Sequence, residues 1–223
     1  FNTERNSVFS DTFLSLETAR LSKLVFAWLI EVEMLRPQGF SVLACEQERN
    51  VEIEGIKIKL IIDRIDQLDD DRLVAIDYKT GCHLDYKNWA QPNITEPQLP
   101  IYAAFILEDE GSEIGAVCYA KVRPTENAFV GIAAVEELAQ GATVFDNQSG
   151  RKYFDEVNFP DWKSIIRHWK SSITATAISL KNGDAAVTYE NENQLIFCDV
   201  TPLLRLPERK LQFERQHNNE GKP

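Results

Sequence analysis

The chain has 223 residues, with 35 Asp plus Glu against 24 Lys plus Arg, a formal net charge of -11 and 43% hydrophobic residues. That composition excludes the disordered and fibrous classes, and the acidic balance weighs against a chain whose main task is to coat polyphosphate, because DNA affinity is built chiefly by neutralising backbone charge. The apolar run Leu24 to Ile30 is far shorter than the roughly 20 residues that span a bilayer and no signal-like segment precedes it, so no membrane association is expected.

Ser10-Asp11 offers an N-cap, and Leu14, Leu21, Leu24, Val25, Trp28, Leu29 and Val32 recur at helical spacing until Pro37-Gln38-Gly39. This predicts one amphipathic helix over 11–36. Phe40 to Glu54 alternates imperfectly, Glu54-Gly55 makes a turn, and Ile56 to Leu68 is a strand with Ile56, Ile58, Leu60 and Ile62 on one side. Asp69-Asp70-Asp71 turns the chain into a third strand, Leu73 to Lys79. After a loop holding Trp89 and Pro92, a helix is expected over 95–109, capped by Thr95 with Pro97 in its first turn. Glu113 to Arg123 reads as a strand, another lies near Ala128 to Val135, and a helix is expected from about Pro160 to Leu180. From Gly183 onward loop and short strand are expected, with a frayed polar tail over Gln216 to Pro223. The order is αβββαβ with a C-terminal extension.

Cys45, Cys82, Cys118 and Cys198 form no CxxC pair and no zinc-site spacing. They read as reduced, mostly buried thiols of a cytoplasmic protein. Residues 161–181 set Lys163, Arg167, Lys170 and Lys181 against Asp161, with Trp162, His168 and Trp169 interleaved. Such a helix suits a nucleic-acid surface and equally a core helix with solvated lysines.

The strongest local signal is Ile76-Asp77-Tyr78-Lys79-Thr80-Gly81, preceded on the neighbouring strand by Ile62-Asp63-Arg64-Ile65-Asp66. Alternate side chains of a strand share a face, so Asp77 and Lys79 point one way while Val74, Ile76 and Tyr78 point the other. A hairpin can bring Asp63 beside Asp77, and two such carboxylates repel unless a cation joins them. Oxygen ligands of this kind suit Mg²⁺ or Mn²⁺, and a neighbouring amine that orients water and stabilises phosphoryl charge completes a site for phosphodiester hydrolysis. The same D-x-K spacing also describes an ordinary ion pair at a strand end.

The segments LIIDRIDQL, LVAIDYKTG and PQLPIYA, in the αβββαβ order, resemble the PD-(D/E)XK nuclease superfamily, and within it the RecB-like domain at the C-terminus of AddB-type helicase-nucleases. The resemblance runs from about Phe13 to Arg123. It implies a restriction-endonuclease-like α/β fold, a mixed central sheet flanked by helices, in one domain over 1–223 with a core of about 11–123 and an extension of about 124–215, itself a piece of a larger protein. It implies Asp63, Asp77 and the Tyr78 carbonyl as metal ligands, Lys79 as catalytic lysine, and Gln98 with Tyr102 bordering a DNA-binding cleft. DNA and a helicase-like region or subunit are the implied partners, and exonucleolytic DNA repair or recombination the implied setting.

Glu46 is a weaker candidate acid, since Glu46, Glu48, Glu52 and Glu54 also read as the solvated face of one strand. Arg64 reads as a structural partner of Asp66 or Glu48. Relatives carry a metal-site histidine upstream of Asp63, whereas His83, His168 and His217 all lie downstream. That departure leaves open a nuclease fold kept as an inactive DNA-guiding or assembly module, and an acidic interaction domain with an accidental motif is a further alternative. The iron-sulfur staple of AddB-type domains is degenerate here, with Leu195 and Leu204 flanking Cys198 where cysteines are needed, so no cluster is expected.

Overall fold

A computed structural model describes residues 10–37, 39–81, 84–184, 195 and 201–219. Residues 1–181 make one compact unit and residues 182–223 a second. In the first, the helix α1 (Asp11–Glu31) starts where Ser10 Oγ accepts the Phe13 N–H, satisfying one of the helix's orphan donors. It yields to a 3₁₀ turn at Glu33–Leu35, so the single helix expected to reach residue 36 breaks at Val32. The chain then makes β1 (Phe40–Ile53), β2 (Ile56–Leu68) and β3 (Leu73–Lys79), an antiparallel meander. Its turns are those read from sequence: Gly55 at φ +84° and Asp71 at φ +67° take the left-handed conformation that reverses the chain.

A crossover leads to α2 (Gln98–Tyr102), continued as one wide π turn over Ala103–Leu107, and returns as β4 (Ile114–Lys121), parallel to β3. β5 (Ala128–Ala133) pairs antiparallel with β4, and a two-residue β6 (Thr143–Val144) parallel with β5, giving a six-stranded mixed sheet in sequential order. Gly131 is required where β5 crosses β4, because a Cβ there would overlap the Val117 carbonyl. A short α3 (Gln148–Arg151) and the long α4 (Trp162–Lys181) complete the unit.

Helices cover both faces of the sheet. On one, Leu60, Ile62, Ile65, Ala75, Val117 and Ile132 meet Leu99 and Tyr102 of α2 and Ile165, Trp169 and Ile173 of α4. On the other, Val74, Ile76, Cys118 and Phe129 meet Trp28 of α1 and Val32 just beyond it. Leu24, Trp28 and Val32, four apart, form the stripe of α1 that is buried; Leu21, Val25, Phe26 and Leu29 are exposed. The helix expected there is present, but most of the apolar positions that predicted it do not reach this core.

Two helical boundaries differ from expectation. Thr95 does not cap α2: its N–H and hydroxyl both donate to Asn88 Oδ1, and Pro97 takes the capping position instead. In the second unit, α5 (Thr201–Leu204) and α6 (Leu206–Asn219) occupy residues expected to be loop and frayed tail. Pro202 and Pro207 both sit in first turns, where a missing N–H costs nothing, and Glu208 adds the favourable acid there. Among the described residues no helix is long and apolar enough to cross a membrane.

Candidate functional site

The site grows from a break in the regularity of β2. Ile62 and Ile65 both face the core shared with α2 and α4, so the period-2 alternation slips between them, at Asp63-Arg64. Opposite, in β1, pairing lapses at Glu46, which sits at φ +50° between the pairs Cys45↔Arg64 and Gln47↔Ile62. A left-handed glutamate within a strand is strained backbone. Glu46 lines one cavity of about 400 Å³ with Cys45, Asp63, Arg64 and Tyr78, whereas Glu48 pairs with Lys59 on the solvated side. The four glutamates of this stretch therefore do not share one role.

Asp63 Oδ2 accepts the Tyr78 N–H at 2.7 Å, tying its carboxylate to the end of β3. Asp77 is 2% exposed. The Gln98 amide at the start of α2 donates to Asp77 Oδ1 at 3.2 Å and to the Ile61 carbonyl at 2.9 Å, bridging the helix to both strands. Asp77 Oδ2 lies 2.6 Å from Lys79 Nζ, its ion-pair partner. Apart from that ammonium, this buried oxygen has no hydrogen-bond partner among the described residues. Burial pushes the Asp77 carboxyl above the ordinary carboxylate range; Lys79 opposes this, while the charges of Asp63 and Glu96 add to it.

Glu96, which no sequence pattern marked, accepts the Tyr119 hydroxyl at 2.9 Å and shares with Lys79 and Gln98 a second cavity of about 390 Å³. Tyr119 stands beside Asp77 in the β3–β4 register, and burial and the neighbouring Glu96 hold its hydroxyl firmly protonated. Asp77, which feels the charges of Asp63 and Glu96, thus has Lys79 as its ion-pair partner.

The remaining candidates fall elsewhere. Tyr102 is buried, its hydroxyl donating to Gln47 Oε1 at 3.3 Å, so it lies in the core and not on an open cleft surface. Trp162 and Trp169 of the basic helix also turn inward, donating to the carbonyls of Ile114 and Trp89, while Lys170 pairs with Asp109 and Arg167 approaches Asp161. The core reading of that helix is the one its side chains show. The ring of His168 packs on Phe159 and the Gln91 carbonyl, and burial lowers its pKa. His83, Cys82 and Cys198 lie outside the described residues. Cys118 is buried and its thiol pushed up to about 12, but Cys45 is exposed, contrary to the buried thiol expected.

Arg64, which also lines the Asp63 cavity, converges with Arg36 on Asp66. Arg64 Nε and Nη2 donate to it at 2.6 and 2.9 Å and Arg36 Nη1 at 2.5 Å. Glu33 accepts from Arg64 Nη1 and from the Trp28 indole, and Arg64 Nη1 also reaches the Tyr78 hydroxyl at 3.0 Å. Asp66 is the partner expected for Arg64; Glu33 replaces Glu48 as the other.

Oxygen donors alone, a buried carboxylate oxygen whose one partner is an ammonium, and the charges of Asp63 and Glu96 near Asp77 together fit a hard divalent cation. Among the described residues no three His, Cys, Asp or Glu side chains group as metal ligands, so two carboxylates would leave the rest of a coordination shell to backbone oxygen, water and phosphate, as Mg²⁺ sites commonly do. The PD-(D/E)XK nuclease superfamily model matches residues 3–200. Among curated proteins none matches the chain. With its mixed sheet flanked by helices and a match over most of its length, the chain belongs to the PD-(D/E)XK nuclease superfamily.

Proposed function

We propose that this chain is a metal-dependent nuclease module that hydrolyses DNA phosphodiester bonds, with Asp63, Asp77 and the Tyr78 carbonyl as the ligands of Mg²⁺ or Mn²⁺. The observation that carries the reading is the buried Asp77 Oδ2, whose one partner is the half-exposed Lys79 ammonium. When bound, the cation polarises a phosphate oxygen and makes water a better nucleophile. Gln98 holds Asp77 in one orientation through Oδ1, leaving Oδ2 for the ligand role. Lys79, half out of the protein at 40% exposure, orients the attacking water and stabilises charge developing on phosphorus. Asp63, tied to the Tyr78 amide, fixes the end of β3 against β2.

The three motifs around Asp63, Asp77 and Gln98 support a RecB-like exonuclease acting in double-strand-break repair or recombination in the cytoplasm, as one module of a protein with a helicase-like region or subunit. A net charge of -11 supports the further point that tight DNA binding comes from that partner region. The test is degradation of linear duplex DNA in Mg²⁺, and then in Lys79→Ala. Loss of about 10²- to 10³-fold, the usual cost of removing one transition-state donor, supports the enzyme; full activity in Lys79→Ala overturns it. The positions of His83, His168 and His217, all downstream of Asp63, favour a second reading, a catalytically impaired DNA-guiding module. That reading predicts Mn²⁺ binding without DNA hydrolysis.

A further inference from the structure

We propose that Glu96 is a positioning residue for Lys79: when a divalent cation claims the Asp77 carboxylate, Glu96 receives the displaced ammonium and keeps it at the edge of the site. The inference rests on the metal-site reading above. Lys79 Nζ lies 2.6 Å from the one oxygen, Asp77 Oδ2, that is best placed to serve a metal. Ammonium and cation compete for that oxygen, since two positive charges a few ångströms apart repel. A bound dication therefore pushes Lys79 outward, and a second carboxylate lining the same cavity gives the displaced ammonium a place to rest.

Glu96 lines the same cavity as Lys79, together with Gln98 and Tyr119. It is anchored on both sides of its own side chain. The Tyr119 hydroxyl holds Oε2 at 2.9 Å, and the Trp89 indole holds the Glu96 carbonyl at 3.1 Å. Trp89 is fully buried and packs on Tyr119 and Trp169, so the anchor is part of the core. Tyr119 uses only one carboxylate oxygen; Oε1 makes no hydrogen bond among the described residues. A carboxylate fixed by the core, half-satisfied and open to the cavity of a mobile lysine suits a receiver. The lysine's long, flexible stem gives it the freedom to change partners where the buried aspartate has none.

The test is titration of the full chain with Mn²⁺ alone, read by electron paramagnetic resonance, in wild type, Glu96→Gln, Lys79→Ala and the double variant. Without its receiver Lys79 stays on Asp77 and competes with the metal. Glu96→Gln should then weaken Mn²⁺ binding about fivefold, equivalent to roughly 1 kcal/mol, and the weakening should vanish when Lys79 is already Ala. An equal weakening in both backgrounds would make Glu96 a ligand or a purely structural group and overturn the proposal, as would no weakening in either. Tyr119→Phe, which frees the same carboxylate from its anchor, should show the same dependence on Lys79 and serves if Glu96→Gln does not fold. Failure of the site reading itself looks different: wild type would bind no Mn²⁺ at all.

Discussion

Strand β2 delivers Asp63 to one cluster of charges and, one and three residues later, Arg64 and Asp66 to another. In the second, two guanidiniums, Arg36 and Arg64, meet two carboxylates, Asp66 and Glu33, and each carboxylate accepts from more than one donor. Arg36 Nη2 is the one buried atom left over there, and its guanidinium lies 3.6 Å above the Phe40 ring. Burial works against the charge of Arg64, yet Asp66 and Glu33 raise its pKa overall. In the first cluster the balance fails: Asp77 has the charges of Asp63 and Glu96 against it, and Lys79 is the one partner of its inner oxygen. A neutralised cluster, hydrogen-bonded but for Arg36 Nη2, ties α1 and its 3₁₀ turn to the sheet, whereas an under-neutralised one stores a demand for positive charge. On the metal-site reading proposed above, a divalent cation meets that demand at Asp77.

The contrast makes opposite predictions for similar substitutions. Asp66→Ala strips both buried guanidiniums of a shared partner and should cost about 3–5 kcal/mol of stability, visible as a lower denaturation midpoint whether or not metal is present. Lys79→Ala should leave the fold nearly unchanged by circular dichroism while lowering the rate of DNA hydrolysis 10²-fold or more. A large unfolding effect from Lys79→Ala, or a negligible one from Asp66→Ala, would erase the distinction between the clusters.

Asp77→Asn sharpens it further. Because burial raises the Asp77 pKa in the fold, the folded protein holds that proton more tightly than the unfolded chain, whose carboxyl titrates near 4. Metal-free stability should therefore be highest below that value and fall as pH rises through the raised one. Asn cannot ionise, so the variant should lose this pH dependence and, in chelator at neutral pH, melt a few degrees above wild type, about 1 kcal/mol. The smallest effect should come from Gln98→Met, which removes one hydrogen bond to Asp77 Oδ1 and one to the Ile61 carbonyl, at about 1 kcal/mol or less. Thermal melts in chelator check both.

The sheet was legible because its first strands alternate and are punctuated by Glu54-Gly55 and the Asp69 to Asp71 turn, and the shared side of Asp77 and Lys79 was legible because strand geometry forces alternate residues onto one face, whereas Asp63 sits where that alternation slips. What was hidden depended on partners distant in sequence. Asn88 takes the Thr95 N–H and shifts the start of α2; Glu33 reaches Arg64 from the end of α1; Glu96 matters only because β4 sets Tyr119 beside Asp77. The left-handed Glu46 belongs to the same class, since its backbone follows from the slip at Asp63-Arg64 and no residue type announced it. The β6 pair escaped because two residues carry no period.

The most direct test of the under-neutralised cluster is calorimetric titration of the metal-free chain with Mn²⁺, beside Asp77→Asn and, as a control, a variant of the surface pair Lys59–Glu48. Binding of Mn²⁺ by wild type and by the surface control, with none detectable in Asp77→Asn, is the predicted result. Absence of binding in wild type, or undiminished binding in Asp77→Asn, would contradict it.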